Sequence, residues 1–302
     1  MTTLRVPVPG GELAVHQLAG GEHSEHTVLA LHGITANGVS LRPLARALDA
    51  AAPGSIRVLA PDLAGRACSN TVTGPWGIGR HVGDVIAVLD AIGVDRATVV
   101  GHSMGGFVAA VAAARHSERI ARLALLDGGV AFPPPPGADI DALLTAVIGP
   151  AMTRLSMTFP DVAAYLDFMA QNPAVAEALA LGGTAADDVR AYLEHDAVPR
   201  GDGTLASSCV LEAIRVDGAA VLTDQETVTA IRSVRAPTTL LWAPRGLINQ
   251  SPGLYTEQQL AAADLPSTIT LREVPDCNHY SILFAQHALA QVVDAVLGSP
   301  PN

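Results

Sequence analysis

The first 130 residues of the chain alternate short apolar runs with longer helical patterns, and this alternation restricts the folds that the chain can adopt. The apolar runs have the length of buried strands, and the stretches between them have amphipathic or alanine-rich spacing. Strand-like runs occur at 27–33, 57–62, 97–103 and 122–129, and helical patterns at 40–52, 80–93 and 104–116. This order predicts an α/β fold in which helices cover both faces of a mostly parallel sheet.

A proline-rich segment interrupts the alternation. FPPPPGAD at 132–139 cannot continue a helix or a central strand, because successive prolines remove backbone donors and fix φ. We interpret this segment as a stiff junction, and a protein-binding segment is the alternative. The apolar spacing is helical from about 140 to 230. Strand-like runs then return at 237–244 and 266–274, and a last helical pattern follows at 282–298.

These changes divide the chain into two predicted parts. Residues 1–131 and 232–302 are predicted to form one core domain, and residues 132–231 a helical cap inserted into it. At the N-terminus, LRVPV and ELAVHQL have the pattern of a short antiparallel pair at one edge of the sheet.

The balance of charged residues excludes several classes of function. The net charge is −11, and all 18 basic residues are arginines. An acidic chain without a basic stripe is repelled by a phosphate backbone, so no nucleic-acid partner is expected. The absence of lysine excludes lysine Schiff bases and lysine-bound pyridoxal phosphate, and no cofactor is expected.

The sequence shows no pattern typical of a metal site, a membrane span or an export signal. Cys68, Cys209 and Cys277 have no metal-ligand spacing, and no metal is expected. No uninterrupted apolar run reaches the length of a membrane helix, and the first ten residues lack the regions of a signal peptide. We therefore expect a cytoplasmic protein without membrane contact. The sequence leaves the oligomeric state open, with a homodimer as one alternative.

The stretch VVGHSMGGF at 99–107 places Ser103 between a predicted strand and a predicted helix, with Gly101 and Gly105 two positions away on either side. A sharp strand–helix turn strains the serine and tolerates only small neighbours, and the helix then directs its N–H groups towards a developing oxyanion. The pattern predicts that Ser103 is a catalytic nucleophile. The alternative is an ordinary turn residue.

His279 is the best candidate for the base that activates the serine. A serine hydroxyl is a poor nucleophile until an imidazole accepts its proton, and His279 lies on a loop after the last predicted strand. The other histidines fit the role less well. His32 and His102 are expected to give supporting hydrogen bonds, no role is assigned to His81, and exposed helical positions are expected for His116, His195 and His287.

Four motifs resemble those of the α/β-hydrolase superfamily, and the resemblance covers nearly the whole chain. The motifs are HG at 32–33, PDLAGRACS at 61–69, GHSMGG at 101–106 and NHYSIL at 278–283. The resemblance implies a mostly parallel eight-stranded sheet flanked by helices, with an inserted helical cap. It also implies that the backbone N–H groups of Ile34 and Met104 form the oxyanion hole, and that the triad follows the order serine, acid, histidine.

The resemblance leaves the acid of the triad to be identified. Most members carry it after the seventh strand, but this chain has no Asp or Glu from 237 to 255. Some members of the superfamily, including certain haloalkane dehalogenases and zearalenone lactonases, carry the acid after the sixth strand. The corresponding stretch of this chain reads LALLDGG. We therefore predict Asp127 as the acid. Asp276 and acidic residues of the inserted cap are the alternative candidates for the acid. Asp127 would then only cap a helix or a turn.

The segment PDLAGRACS resembles a D-x-x-G-x-G-x-S turn in which the aspartate is structural. The matching residue here is Asp62, and Ala67 replaces the second glycine, so the backbone of this loop is expected to differ. Cys68 and Cys277 lie in loops near the predicted site, where ordinary packing is the expected role.

A serine nucleophile favours acyl transfer, because epoxide hydrolases and haloalkane dehalogenases of this superfamily need a carboxylate at the same turn. We expect a hydrolase that cleaves a carboxylic ester or lactone of a medium-sized, largely apolar small molecule through an acyl-enzyme. The predicted substrate-binding residues are Phe132, Met157, Tyr165, Tyr192 and Tyr280. The alternatives are C–C bond hydrolysis, cofactor-free perhydrolysis, and a ligand receptor without turnover.

Overall fold

The computed structural model describes residues 1–132 and 137–298, and its central feature is one eight-stranded sheet. The strands of this sheet are β1 (Thr2–Val8), β2 (Gly11–Ala19), β3 (His26–Leu31), β4 (Ile56–Pro61), β5 (Ala97–His102), β6 (Ile120–Leu126), β9 (Thr238–Trp242) and β10 (Ile269–Glu273). Their spatial order is β1-β2-β4-β3-β5-β6-β9-β10. The pairs β1–β2 and β2–β4 are antiparallel, and the other pairs are parallel. The predicted fold is confirmed.

Five α-helices are connected directly to the strands of the sheet. They are α1 (Arg42–Ala51), α2 (Ile78–Ala91), α3 (Met104–Arg115), α10 (Glu257–Ala262) and α11 (Gln286–Leu297). Short 3₁₀ turns lie at Gly38–Leu41, Ala67–Ser69, Ala230–Ser233 and Ser281–Leu283. No helix within the described residues is both long and apolar enough to cross a lipid bilayer.

Between β6 and β9, the described residues form six α-helices and a small second sheet. We call its described residues 137–231 the inserted segment. Its elements are α4 (Ile140–Leu155), α5 (Val162–Met169), α6 (Pro173–Ala180), α7 (Gly183–Asp196), β7 (Ala197–Pro199), β8 (Leu205–Ser207), α8 (Leu211–Thr223) and α9 (Gln225–Thr229). The division into a core domain and a cap domain stays a prediction. Residues 133–136 of the predicted junction lie outside the described residues.

The structure differs from the sequence-based expectation at two elements. The pair β7–β8 was not expected, because strands of three residues are too short to produce a period-two pattern. The predicted helix over 282–298 is interrupted. The N–H groups of Phe284 and Ala285 both donate to the carbonyl of Ser281, and Ala285 is extended, so α11 begins only at Gln286.

The central strands of the sheet are buried on both faces, which explains their near-continuous apolar sequences. Every residue of β4 is buried. Neighbouring residues of one strand belong to different apolar clusters, as Val99 and Val100 of β5 and Leu240 and Leu241 of β9 show. Side chains of a strand alternate between the two faces, so a strand that is covered on both sides needs apolar residues at each position.

Gly105 fixes how closely α3 approaches the sheet. A Cβ atom at this position would lie 2.3 Å from the carbonyl oxygen of Leu31 in β3. Gly105→Ala is therefore expected to reduce the free energy of unfolding by about 3 kcal/mol or more, because two backbones must separate. Urea denaturation followed by circular dichroism measures the change.

Gly83→Ala is the matched control, since Gly83 is an exposed glycine of α2 whose Cβ would meet no atom within 4 Å. The free energy of unfolding of this variant is expected to rise by about 0.5–1 kcal/mol, because alanine is favoured over glycine inside a helix. Equal effects of the two substitutions would contradict the packing explanation.

Candidate active site

Ser103 lies at the turn between β5 and α3 in a conformation that is rare for a residue with a side chain. Its φ is 54° and its ψ is −123°. Its N–H donates to the carbonyl of Leu126 at the end of β6, with a nitrogen–oxygen distance of 2.9 Å. The turn therefore presents the hydroxyl at the carboxyl end of the sheet, as expected for an activated serine.

The glycines around Ser103 are required by close contacts. A Cβ at Gly101 would lie 2.3 Å from the carbonyl oxygen of Gly105, and a Cβ at Gly105 would lie 2.3 Å from that of Leu31, which explains why both positions of the predicted motif are glycines. A Cβ at Gly128 would lie 2.1 Å from the carbonyl oxygen of Ser103. The ends of β5 and β6 are therefore in direct backbone contact, and this contact keeps Asp127 near the serine.

The structure brings Asp127 and His279 together. The distance between Asp127 Oδ2 and His279 Nδ1 is 2.6 Å, and both side chains are buried. The second carboxylate oxygen, Oδ1, accepts a hydrogen bond of 3.1 Å from the N–H of Ala243, at the end of β9. The backbone of Asp127 has a φ of 46°, and its N–H donates to the carbonyl oxygen of Leu241 in β9. Both the backbone and the side chain of Asp127 are therefore bonded to the end of β9.

The loop that carries His279 is held by side chains on both sides of it. The carbonyl of His279 accepts a hydrogen bond of 2.9 Å from Nε2 of His102. Burial and the nearby His279 lower the pKa of His102 well below its usual value, so His102 donates as a neutral imidazole. Asn278 Oδ1 accepts from the N–H groups of Tyr280 and Ser281. The supporting role expected of His102 is confirmed.

His32 also makes the supporting contacts that the sequence predicted. Its Nε2 accepts a hydrogen bond of 2.9 Å from the N–H of Leu63. Burial lowers the pKa of His32 to about 3, so the ring is neutral and can accept this bond.

The hydroxyl of Ser103 is not hydrogen-bonded to the imidazole of His279 among the residues that the structure describes. Bonds of this kind often tighten only when a substrate binds, so the free geometry is compatible with proton transfer between these groups. The two rings of the site, His102 and His279, have centroids 4.6 Å apart.

Ile34 and Met104 line the same cavity as Ser103. Within the described part of the chain, the N–H groups of these two residues donate to no protein acceptor. The Met104 amide is the first of α3, where the helix dipole favours negative charge. Both groups are therefore available to a ligand oxygen in this cavity.

Two cavities of similar volume lie near these residues. The cavity beside Ser103 has about 270 Å³, and apolar side chains such as Phe132, Leu144 and Val221 form much of its wall. The second cavity, of about 280 Å³, is lined by Tyr280, Arg154 and residues of the loop after β9. Ile148 lies on the wall of both.

The five predicted substrate-binding residues occupy different places. Phe132 lines the cavity beside Ser103, and Tyr280 lines the second cavity. Neither described wall includes Met157, Tyr165 or Tyr192. Tyr165 is fully buried and donates its hydroxyl hydrogen to Asp196, and Tyr192 is buried in the same apolar cluster. All three residues pack against an apolar cluster that the inserted segment shares with the sheet and α11.

Asp62 has the structural role that the resemblance implies. It is buried, and its oxygens accept from the N–H groups of Gly38 and Cys68. Ala67 has a φ of 41°, so the loop adopts a conformation that a glycine favours, although a Cβ is present. The expected exposure of His195 is wrong: only 20% of its side chain is accessible, because its Nε2 contacts Asp62.

Sequence reasoning missed Arg66, which links the inserted segment to the predicted oxyanion hole. Arg66 is fully buried and forms an ion pair of 2.6 Å with Asp217 of α8. Its Nε donates to the carbonyl of Ile34 over 2.9 Å, and its Nη2 contacts the sulfur of Met104. His81, to which no role was assigned, binds the same carboxylate at 2.9 Å. An arginine inside the PDLAGRACS motif was the one available signal.

The chain belongs to the alpha/beta hydrolase fold family, whose model matches residues 26–286. Lipase LipV of Mycobacterium tuberculosis is 37% identical over 118 residues, which are 39% of this chain and 43% of that protein. The 2-hydroxymuconate semialdehyde hydrolase of Pseudomonas putida is 43% identical over 79 residues, 26% of this chain and 28% of that protein. The matches thus span less than half of these curated relatives.

Solved structures agree on the fold. The crystal structure of E-2-(acetamidomethylene)succinate hydrolase superposes with a TM-score of 0.77 over 99% of both chains, at 20% sequence identity. Identity at this level shows that the fold is shared and carries no information about the substrate.

Asp217→Asn tests the buried pair that holds the Ile34 loop. Burial alone would raise the pKa of Asp217, but Arg66 and His81 hold it well below its usual range. The substitution leaves the Arg66 charge unpaired and is expected to cost about 3–5 kcal/mol of unfolding free energy at pH 7. Because the pKa of Asp217 is lower in the folded state than in the unfolded state, the wild type loses this stabilisation as the pH falls below about 4. The difference in unfolding free energy between the wild type and the variant should therefore become smaller at acidic pH.

Asp187→Asn is the control, since Asp187 forms an exposed pair with Arg190. It is expected to change the unfolding free energy by less than about 1 kcal/mol. Urea titrations at several pH values measure both variants, and a loss at position 217 as small as that at 187 would contradict the assignment.

Proposed function

We propose that the protein is a serine hydrolase that cleaves a carboxylic ester or lactone of a medium-sized, largely apolar substrate. The observation that carries this proposal is the hydrogen bond of 2.6 Å between Asp127 and His279, next to a strained Ser103. A buried carboxylate on Nδ1 fixes the tautomer of an imidazole and stabilises its protonated form. The other ring nitrogen, Nε2, is then the proton acceptor for the serine.

The reaction follows from these roles. Ser103 Oγ attacks the acyl carbon while His279 Nε2 accepts the hydroxyl proton, and the carbonyl oxygen becomes an anion that accepts from the Ile34 and Met104 amides. The imidazolium returns the proton to the leaving alkoxide, which leaves an acyl-serine. His279 then accepts a proton from water, the hydroxide attacks the acyl carbon, and the acid departs as Ser103 regains its proton.

The surroundings of Asp127 support its role as the acid. The N–H of Ala243 donates to it from the end of β9, which is the strand after which most family members carry the acid. No Asp or Glu occurs from 237 to 255 in this chain. A carboxylate from the neighbouring strand therefore reaches the position from which the usual acid would act.

The cavity beside Ser103 supports a neutral substrate. None of its described lining residues is basic, and its wall is largely apolar. With a net charge of −11, the chain as a whole attracts anions poorly. These two features favour an ester or lactone over a substrate that carries a free carboxylate.

A second candidate is C–C bond hydrolysis on the same residues. It is supported by the match to 2-hydroxymuconate semialdehyde hydrolase, whose name describes a carboxylate-bearing substrate. An activity screen across aryl esters, lactones and vinylogous diketones separates the two. We expect turnover of esters or lactones, and turnover of the diketones alone would favour the second candidate. Perhydrolysis is measured in the same screen with acetate and peroxide.

Ser103→Ala is expected to abolish labelling by a fluorophosphonate probe, because the nucleophilic oxygen is absent. Mass spectrometry of the wild type should place the label on Ser103. Labelling that persists in the variant would show that another residue is the nucleophile. A wild type that binds a ligand but neither labels nor turns over esters would favour a receptor.

Asp127→Asn is expected to lower kcat about 10⁴-fold with the fold intact, because the amide favours the wrong tautomer of His279. Asp276→Asn is the matched control, since Asp276 was the alternative acid near His279. It should keep near-normal kcat. The opposite ranking of the two variants would assign the acid to position 276.

A further inference from the structure

A second group of polar side chains lies where α7 of the inserted segment meets the sheet. It comprises His16 on β2, Asp62 after β4, Cys68 in the turn Ala67–Ser69, and His195 near the end of α7. None of these residues is on the described wall of the cavity beside Ser103. The proposed hydrolysis uses none of them.

The ligand atoms of His16, Asp62 and His195 converge on one point, and the sulfur of Cys68 lies beside His195. Asp62 Oδ2 is 3.0 Å from His16 Nε2 and 3.1 Å from His195 Nε2. These three atoms all lie within 4.8 Å of one another. Cys68 Sγ is 3.9 Å from His195 Nε2.

We propose that His16, Asp62 and His195 form a binding site for Zn²⁺ in which the thiolate of Cys68 supplies the fourth ligand. In tetrahedral zinc sites the metal–nitrogen and metal–oxygen bonds are about 2.0–2.2 Å and the metal–sulfur bond is about 2.3 Å. Such bonds separate the ligand atoms by roughly 3.3–3.8 Å. The two nitrogen–oxygen distances to Asp62 are a few tenths of an ångström shorter than these values, and rotation of the exposed Cys68 side chain would bring its sulfur to the fourth position.

One carboxylate oxygen of the group accepts an unusual number of hydrogen bonds. Three donors, the two Nε2 atoms and the N–H of Cys68, converge on the single oxygen Oδ2 of Asp62. An oxygen with two lone pairs is crowded by three donors, and a cation among the ligands would replace two of these bonds.

Contacts outside the group orient two of the ligands. His16 Nδ1 is 3.0 Å from the hydroxyl oxygen of Thr3, so the proton of the neutral ring can reside on Nδ1 and leave Nε2 free for the metal. Asp62 Oδ1 accepts from the N–H of Gly38 over 2.8 Å, which fixes the direction of the carboxylate. Partners of this kind are typical of metal ligands.

Charge and access also fit a divalent cation. Binding forms a zinc–sulfur bond and releases the thiol proton of Cys68 to solvent, while both histidines bind as neutral rings. The thiolate and the Asp62 carboxylate then balance the two charges of the ion. Cys68 is exposed and His195 is partly accessible, so the ion can enter from the surface. The bound ion would fix α7 to β2 and to the loop after β4.

Cobalt substitution in the full-length protein tests the site. The protein is stripped with a chelator and titrated with Co²⁺ alone, and four-coordinate cobalt is read from its visible bands and its thiolate charge-transfer band. We expect one Co²⁺ per chain, displaced by one Zn²⁺. We also expect Zn²⁺ to raise the Tm of the stripped protein. The absence of the visible bands in the wild type would overturn the proposal.

Two variants and one control make the readout specific. His195→Ala should weaken cobalt binding by at least about 100-fold, because a direct ligand is lost. Cys68→Ser, at an exposed position, should remove the charge-transfer band and keep the protein folded. His287→Ala is the control: its Nε2 lies 3.4 Å from Cys277 Sγ, a cysteine–histidine pair without the other two ligands.

The control should leave the titration and the Tm shift unchanged. Bands that persist in His195→Ala and Cys68→Ser, or that disappear in His287→Ala, would show that cobalt binds elsewhere and would overturn the assignment. Because these readouts do not use catalysis, their outcome is independent of the proposed hydrolysis.

Discussion

The carboxylate of Asp127 is held at the point where the ends of three strands meet, and the candidate site is arranged around it. Its backbone N–H bonds to β9, one oxygen accepts from Ala243, and the other bonds to His279. Gly128 is in backbone contact with Ser103, so the same turn sets the spacing between nucleophile and acid. A carboxylate buried in this way is stable only because each oxygen has a donor.

Polar contacts orient the inserted segment on the sheet. Asp217 reaches Arg66, His195 of α7 reaches Asp62, and Asp188 of α7 binds Arg46 of α1. Buried ion pairs add little net stability compared with apolar packing, but each requires its partner in one place. Through Arg66 the first of these contacts extends to the carbonyl of Ile34, so the placement of α8 and the shape of the predicted oxyanion hole are coupled.

The sequence predicted most of the fold because its central strands are buried on both faces and separated by helices of clear periodicity. The same pattern placed Ser103, Asp127 and His279 at strand ends, where parallel strands bring distant residues together. It could not predict the roles of Arg66, Asp217 and His195, since their contacts join segments far apart in sequence.

Helical spacing also fails to say which aromatic residues face a cavity. Tyr165 and Tyr192 were predicted to bind substrate, but both are buried in an apolar cluster and neither lies on the described wall of either cavity. The histidines and the aspartate around residue 62 have no recognisable spacing either, because their positions, 16, 62 and 195, come from three separate elements. Sequence patterns describe local structure, and these groups form only when the chain is folded.

The most direct test of the account is a crystal structure of the protein after reaction with a fluorophosphonate. The account predicts a bond from phosphorus to Ser103 Oγ, a phosphoryl oxygen within hydrogen-bond distance of the Ile34 and Met104 amides, and His279 still bonded to Asp127. A phosphoryl oxygen directed away from both amides, or an imidazole that cannot reach the adduct, would contradict it.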